Sequence, residues 1–170
     1  NPDYQNFIRD NGWWLNDYAL FMALKTFFHD QPFRAWPEDI RMHWGFALEH
    51  YNRELYFDIE FQKYMQFKFN QQWSRLKAYA NGKHIQIVGD IPIYVSPDGA
   101  DVWAHPELFQ LDAHNAPTAI AGCPPDAFAK DGQAWGNPLY NWNFHRATDY
   151  AWWVSRMWYS LSLIHISEPT

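Results

Sequence analysis

Apolar residues recur at helical intervals through the first eighty positions and then change period. Leu20, Phe21, Leu24, Phe27 and Phe28 predict an amphipathic helix over 17–29, with Asp17 as its cap. Pro32 and Pro37 mark 30–40 as loop. Phe57, Phe61, Tyr64 and Met65 share one face of a second helical stretch, about Glu54 to Lys68. Phe69, Trp73, Leu76 and Ala80 follow at i, i+4, i+7 and i+11, and Asn81-Gly82 supplies a stop. Beyond it Ile85, Ile87 and Val88 are β-branched, and Ile91, Ile93 and Val95 alternate with other residues. This pattern predicts a strand over 85–95, interrupted by Gly89 and Pro92. Helix, glycine turn and buried strand together make the α-to-β half of a parallel βαβ unit. Residues 96–143 read mostly as loop, and a last helix is predicted from about Thr148 to Leu161, with Val154, Met157, Trp158 and Leu161 on one side. There is no internal repeat, low-complexity tract or Gly/Ser linker.

Composition narrows the function. Net charge is −6, from 13 basic and 19 acidic residues, which argues against a nucleic-acid partner. No apolar run approaches the roughly 18 residues of a membrane span, so no membrane partner is expected either. The one cysteine, Cys123, excludes an internal disulfide and a Cys-based zinc site, and it suits a reducing, cytoplasmic setting. The eight histidines show no metal-binding spacing, and there is no glycine-rich phosphate loop; no metal or cofactor is expected. Aromatic residues make up 20% of the chain, including 11 Trp. Most recur at core spacings, and the rest are candidates for flat platforms under sugar rings.

The chemistry concentrates in the proline-rich half, where eight of the eleven prolines lie from Pro92 onward. Asp90 follows Ile87-Val88-Gly89 at the exit of the predicted strand. A βα-barrel enzyme presents its acids at such strand ends and roofs them with long loops. Asp90 can bind sugar hydroxyls or act as acid, base or nucleophile; the alternative is a turn cap or a partner for a neighbouring Arg. Asp98 and Asp101 read as caps of a Pro-Asp-Gly turn, and Glu107, after Pro106, as a first-turn helix acid. No second carboxylate stands out as the partner that glycosidic chemistry requires. Residues 121–138 form a candidate lid, stiffened by Pro124 and Pro125. In it, Phe128 and Trp135 are rings that no helical or strand period explains, and Asp126, Gln133 and Asn137 can hydrogen-bond hydroxyls. The alternative is a loop packed on its own aromatic residues.

Five blocks of sequence resemble the amylomaltases, the 4-alpha-glucanotransferase or disproportionating-enzyme family. They are Trp14-Leu15-Asn16-Asp17-Tyr18-Ala19-Leu20-Phe21, Gln72-Trp73 to Tyr79-Ala80, Gly89 to Val95, Ala100 to Leu111, and Pro124 to Tyr140. The one departure is Asn16, where family members often carry an acid. The resemblance implies an α/β fold, part of a (β/α)8 TIM barrel with helical insertions. The chain has 170 residues, short of the roughly 250 of a complete barrel, so a fragment is expected. On that reading 1–160 belong to the catalytic barrel: a helical insertion over 1–80, the third strand and active-site loop over 81–145, and a helix over 146–160. The resemblance further implies that Asp90 binds the glucose unit at the cleaved bond. Asp126, Phe128, Gln133 and Trp135 would contact the glucan on the acceptor side. It implies a retaining mechanism with an Asp nucleophile, a Glu acid/base and a stabilising Asp, none of them among these residues, so no catalytic group is assigned here. The partners it implies are alpha-1,4-glucans and maltooligosaccharides, and the reaction is transfer of glucan segments to a glucose or glucan acceptor. An alpha-glucan hydrolase of the same clan and a non-catalytic glucan-binding fragment are the rival readings.

Residues 161–170 resemble the translation of a transposon-end sequencing adapter. They are set apart as a non-native tail, expected from residue 164 onward to make no specific packing contacts; Leu161 to Leu163 also suit the Leu-containing helix with which the family continues, and the alternative for the whole stretch is a native amphipathic end.

Overall fold

Two 26-residue helices, packed side by side, carry the first half of the chain in the computed structural model, which describes residues 1–164. Helix α1 spans Pro2–Phe27. It starts fifteen residues before the expected position, because Asn1 rather than Asp17 caps it, accepting a hydrogen bond from the Asp3 amide at 2.9 Å. Pro2 occupies the first turn, where its missing N–H costs nothing. The lone Gly12 lowers helix propensity by about 1 kcal/mol, too little to break a helix anchored by Phe7 and Leu15 on either side. Asp17 therefore lies mid-helix.

After a short turn at Phe33–Ala35, helices α2 (Glu38–Arg41) and α3 (Gly45–Glu54) lead into α4, Tyr56–Asn81. The two helical stretches expected over 54–80 are this one helix. Its expected apolar face is outward: Phe57 is 84% exposed, and Phe61, Tyr64 and Met65 are also exposed. Ile59 and Phe67 are buried instead. With so many aromatic residues on α4, periodicity offers more than one stripe, and the packing against α1 selects among them. Phe67 meets Phe7 of α1 at 5.6 Å between ring centroids, and the Tyr4 hydroxyl donates to Glu60 at 3.1 Å. The helix stop is borne out, with a different residue bearing the positive φ: Gly82 is right-handed, and His84 takes φ +60°.

Residues 85–95 form no strand. Among the described residues no extended segment lies beside them to accept and donate ladder hydrogen bonds, so the β-type side chains project outward. Val88 is 90% exposed and Ile93 66%, while Val95 is buried. The stretch expected as loop is more ordered than its prolines suggested. It holds α5 (Ala100–Ala104) and an antiparallel hairpin of β1 (Ile120–Cys123) and β2 (Gln133–Pro138), in register Gly122 opposite Ala134 and Cys123 opposite Gln133. Gly122 and Gly132 allow the close approach: a Cβ at Gly122 would collide with the Gln133 carbonyl, and Gly132 has φ +73°. Helices α6 (Trp142–Ala147) and α7 (Ala151–Ile164) follow.

The core gathers where α1 crosses α5. Phe21, Phe33, Trp36, Ile40 and Trp103 pack there, and the Trp103 indole donates to the Ile40 carbonyl at 2.8 Å. Asp98, expected to cap its own turn, reaches across the chain instead. Its carboxylate pairs with Lys25 at 2.8 Å and accepts the Phe33 amide at 2.9 Å, tying the end of α1 to the segment before α5. Asp101 lies in the first turn of α5, and Glu107 in the turn after Pro106, as read from sequence for Glu107.

On α7 the expected stripe is again outward, with Val154, Met157, Trp158 and Leu161 all half or more exposed. Residues 161–164 continue this helix, and its end docks on α4 and the segment after it. The Trp73 indole donates to the Leu163 carbonyl at 2.7 Å, and Lys77 to that of Ser162 at 2.7 Å. Ile164 lies so close to Gly89 that an added Cβ would come within 2.5 Å of it, so the expectation of no packing contacts fails at residue 164. The rest of the expected tail, 165–170, lies outside the described residues.

Candidate functional site

The hairpin holds four of the five expected glucan contacts. Each is placed by local chemistry. Pro124 and Pro125 carry the chain off β1, and Asp126 then closes a turn. One Asp126 carboxylate oxygen accepts the amides of Phe128 at 2.8 Å and Ala129 at 2.7 Å. Such bonding is how an Asx turn shapes a loop. Asp126 thus has a structural task in addition to any contact with a ligand. Phe128, at the turn, is 96% exposed and makes no ring contact among the described residues.

Gln133 and Trp135 are two residues apart on β2, so they project from the same face. The Trp135 indole donates to Gln133 Oε1 at 2.9 Å, which orients both side chains. Trp135 is about half exposed, and its ring approaches Tyr94 at 6.2 Å. Tyr94 in turn stacks on Tyr140 at 6.0 Å with ring planes 12° apart. Gly136 follows with φ +78° and open space around it, a conformation only glycine adopts at little cost.

Asp90 sits on the segment that carries Tyr94. It is exposed, and its carboxylate accepts the neighbouring Ile91 amide at 2.8 Å. It makes no hydrogen bond to the hairpin among the described residues. The structure therefore brings Gln133 and Trp135 together with Tyr94, and leaves Asp90, Asp126 and Phe128 apart from that group.

Three residues that shape this region were missed as a group. Asn137 had been read only as a possible hydroxyl ligand; its side-chain amide donates to the Val95 carbonyl at 2.8 Å. The Tyr140 hydroxyl donates to the Ile93 carbonyl at 2.7 Å. Arg156 donates to the Pro92 carbonyl and, at 3.3 Å, to the Tyr140 hydroxyl. Its guanidinium lies over Trp152 and Trp153, 5.2 and 5.3 Å from their ring centroids. Tyr140 is buried, and burial pushes its phenol above its ordinary value despite the Arg156 charge beside it. No sequence period could find these bonds, since their partners are carbonyls 42 to 64 positions away. The signal that could have found Arg156 is its place three and four positions after Trp153 and Trp152, a helical spacing that brings a cation over a ring.

Beside this cluster lies an open hollow of about 480 Å³, walled by Tyr94, Tyr140, Trp142, Trp153, Val154 and Met157. Between α1 and α5 a smaller one, about 120 Å³, is lined by Trp13, Trp14, Asp17, Tyr18, His105 and Trp152. There Asp17 stands 3.7 Å from His43 and 3.8 Å from His105, so the mid-helix acid has two imidazole neighbours. Among the described residues no cluster of His, Cys, Asp and Glu is arranged to hold a metal ion, and no helix is long and apolar enough to cross a membrane.

Aromatic rings with a polar amide fixed among them are the kind of surface that small-molecule sites use. The chain belongs to the 4-alpha-glucanotransferase family, whose pattern matches residues 1–167. It is 44% identical to the 4-alpha-glucanotransferase of Clostridium butyricum over 98% of this chain and 34% of that protein. It is 43% identical to that of Thermus thermophilus over 94% of this chain and 32% of that protein. Among solved structures, the amylomaltase from Streptococcus agalactiae in complex with acarbose superimposes with a TM-score of 0.91 at 42% identity, covering 95% of this chain and 32% of that one. The chain thus spans about a third of the length of the relatives it matches.

Proposed function

We propose that this chain is part of a retaining 4-alpha-glucanotransferase barrel, and that it supplies the acceptor-side wall of the glucan site. The carrying observation is the β2 face. Trp135 and Gln133 are fixed to one another at 2.9 Å, half exposed, and set against Tyr94, four residues along the chain from Asp90. A flat indole beside an amide suits one glucose unit: the ring takes the apolar face of the sugar and the amide a hydroxyl.

In the complete barrel residues 85–89 are a strand, paired on both sides through their backbone. Its exposed β-branched residues are then covered by neighbouring elements, and the outward apolar face of α7 is a surface of the kind that packs on such a sheet. Asp90 then stands at the strand exit and binds the glucose unit at the cleaved bond. Asp126, Phe128, Gln133 and Trp135 contact the acceptor glucan. In a retaining mechanism a carboxylate nucleophile attacks the anomeric carbon while the acid/base protonates the departing 4-oxygen, which releases the leaving glucan and forms a covalent glucosyl enzyme. The acceptor 4-hydroxyl, deprotonated by the acid/base, then displaces that carboxylate. An occupied acceptor wall keeps water away from the intermediate, which favours transfer over hydrolysis. Maltooligosaccharides are the substrates on this reading, and the cytoplasm the setting.

The test uses the full-length protein that carries this segment, incubated with maltotriose. Glucose together with longer oligomers is the expected product pattern; free glucose and maltose alone would make it a hydrolase. Asp90→Asn should lower kcat/KM by at least about tenfold, or ~1.4 kcal/mol, with little change in Tm. Retained activity with a collapse in Tm would reduce Asp90 to a turn cap.

A further inference from the structure

The segment from Asp90 to Val95 lacks a strand partner among the described residues, yet three of its carbonyls are engaged. Each is taken by a side chain: Pro92 by Arg156, Ile93 by Tyr140 at 2.7 Å, Val95 by Asn137 at 2.8 Å. The three donors are not independent. Arg156 also donates to the Tyr140 hydroxyl, so one phenol both accepts from the guanidinium and donates to the chain. They come from different elements, α7, the turn after β2, and β2 itself. Asn137 lies two residues from Trp135, and Pro92 two residues from Asp90.

We infer that Asn137, Tyr140 and Arg156 are positioning residues, a side-chain latch that sets where Asp90 stands relative to Trp135. Its role as a catalytic device rests on the glucanotransferase reading above. The donor-side acid and the acceptor-side ring lie on separate parts of the chain, more than forty residues apart. Productive transfer needs both at fixed separation, and a misplacement of about 1 Å can cost roughly 100-fold in rate. A backbone ladder alone would fix Asp90 against neighbouring strands. It would leave the hairpin free to swing. The latch joins the hairpin through Asn137, the turn after it through Tyr140 and α7 through Arg156 to the same stretch of chain, and the bond from α7 has a charged donor and so is of the stronger kind. The Tyr140 ring is held independently, by contacts to Tyr94, Phe109, Trp152 and Trp153. Removing its hydroxyl alone therefore separates positioning from packing.

The experiment compares full-length wild type with Tyr140→Phe and Asn137→Asp, the second keeping side-chain size while losing the N–H donor. At temperatures well below Tm, Tyr140→Phe should lower kcat for maltotriose disproportionation about tenfold or more, with KM within about twofold. Asn137→Asp should raise the ratio of hydrolysis to transfer. The double variant should lose less than the product of the two single effects, because both act on one latch. Crystal structures of the variants give the second readout: the Asp90 carboxylate should move by about 1 Å relative to the Trp135 indole. Superimposable Asp90 and Trp135 in both variants would overturn the latch, whatever the activity. So would an unchanged kcat and product ratio with only Tm lowered. A wild-type protein that shows no transfer would overturn the glucanotransferase reading, and the crystallographic comparison would still decide the latch.

Discussion

Trp135 stands on a strand beside a glycine of positive φ, half exposed and hydrogen-bonded through its indole nitrogen. The indole nitrogen is thus occupied, and the ring face is what remains to meet a sugar. In the full-length protein Trp135→Ala should weaken acceptor capture and let water compete for the glucosyl intermediate. The ratio of hydrolysis to transfer should rise, several-fold or more, while donor cleavage continues. Reducing-sugar release set against free-glucose release from a maltooligosaccharide measures it. An unchanged ratio with intact activity would confine the ring to packing on its own hairpin. Trp135 stands out in the sequence as a ring that no helical or strand period explains and Gln133 as a side chain able to bond hydroxyls, and the bond between them appears only in the structure. Asp126 was legible as a loop acid, but its two amide bonds, which make it a turn former, depend on backbone directions that composition does not encode. The Asp98 bond to Lys25 was hidden for the same reason, its partner being 73 positions away.

The long helices were readable and the short ones were not, and only one helix face was: Leu20, Phe21 and Leu24 are buried on α1 as their period expects. The expected stripes on α4 and α7 both point outward, because 20% aromatic content supplies rings on every side and leaves the choice to the neighbouring element. For α4 that neighbour is α1, and Tyr4 is one of the joints. Burial first, and then its bond to Glu60, pushes the Tyr4 phenol up to about 12. Its unfolded value is about 10. The folded state therefore holds this proton more tightly, and the stabilisation is fully present below pH ~10 and lost as pH rises from there toward 12. Stability measured by urea unfolding should fall over that window. Tyr4→Phe should flatten the fall, since no proton is then left to lose at that joint. An identical pH slope in the variant would show that other tyrosines whose phenols burial raises, such as Tyr18 and Tyr159, carry the effect. The strand expected over 85–95 shows the opposite limit. Its residues have the right β-type pattern, but a strand is a pairing and not a property of one segment.

Unpaired β-type residues and an outward apolar helix face have a consequence for the chain as a body. Val88, Ile93, Val154, Trp158 and Leu161 are all at least half exposed. The 170-residue chain by itself should therefore bind a hydrophobic dye such as ANS, associate at micromolar concentration and show no maltotriose disproportionation. A soluble monomer with a sharp melt and no dye binding would count against this. Sequence alone determined the family, through blocks such as Gly89 to Val95 and Pro124 to Tyr140, because their unusual Pro, Gly, Asp and Trp spacing is local and needs no neighbour to be recognised. It also marked parts of α1, α4 and α7 as helical, since a 3.6-residue period is local too, but not the start of α1 nor the short helices α2, α3, α5 and α6. Tertiary structure decided which faces of α4 and α7 are buried, whether 85–95 can be a strand, and how Arg156, Tyr140 and Asn137 meet three carbonyls of one segment. Those outcomes depend on groups far apart in the chain reaching the same few ångströms, and only the folded backbone brings them there.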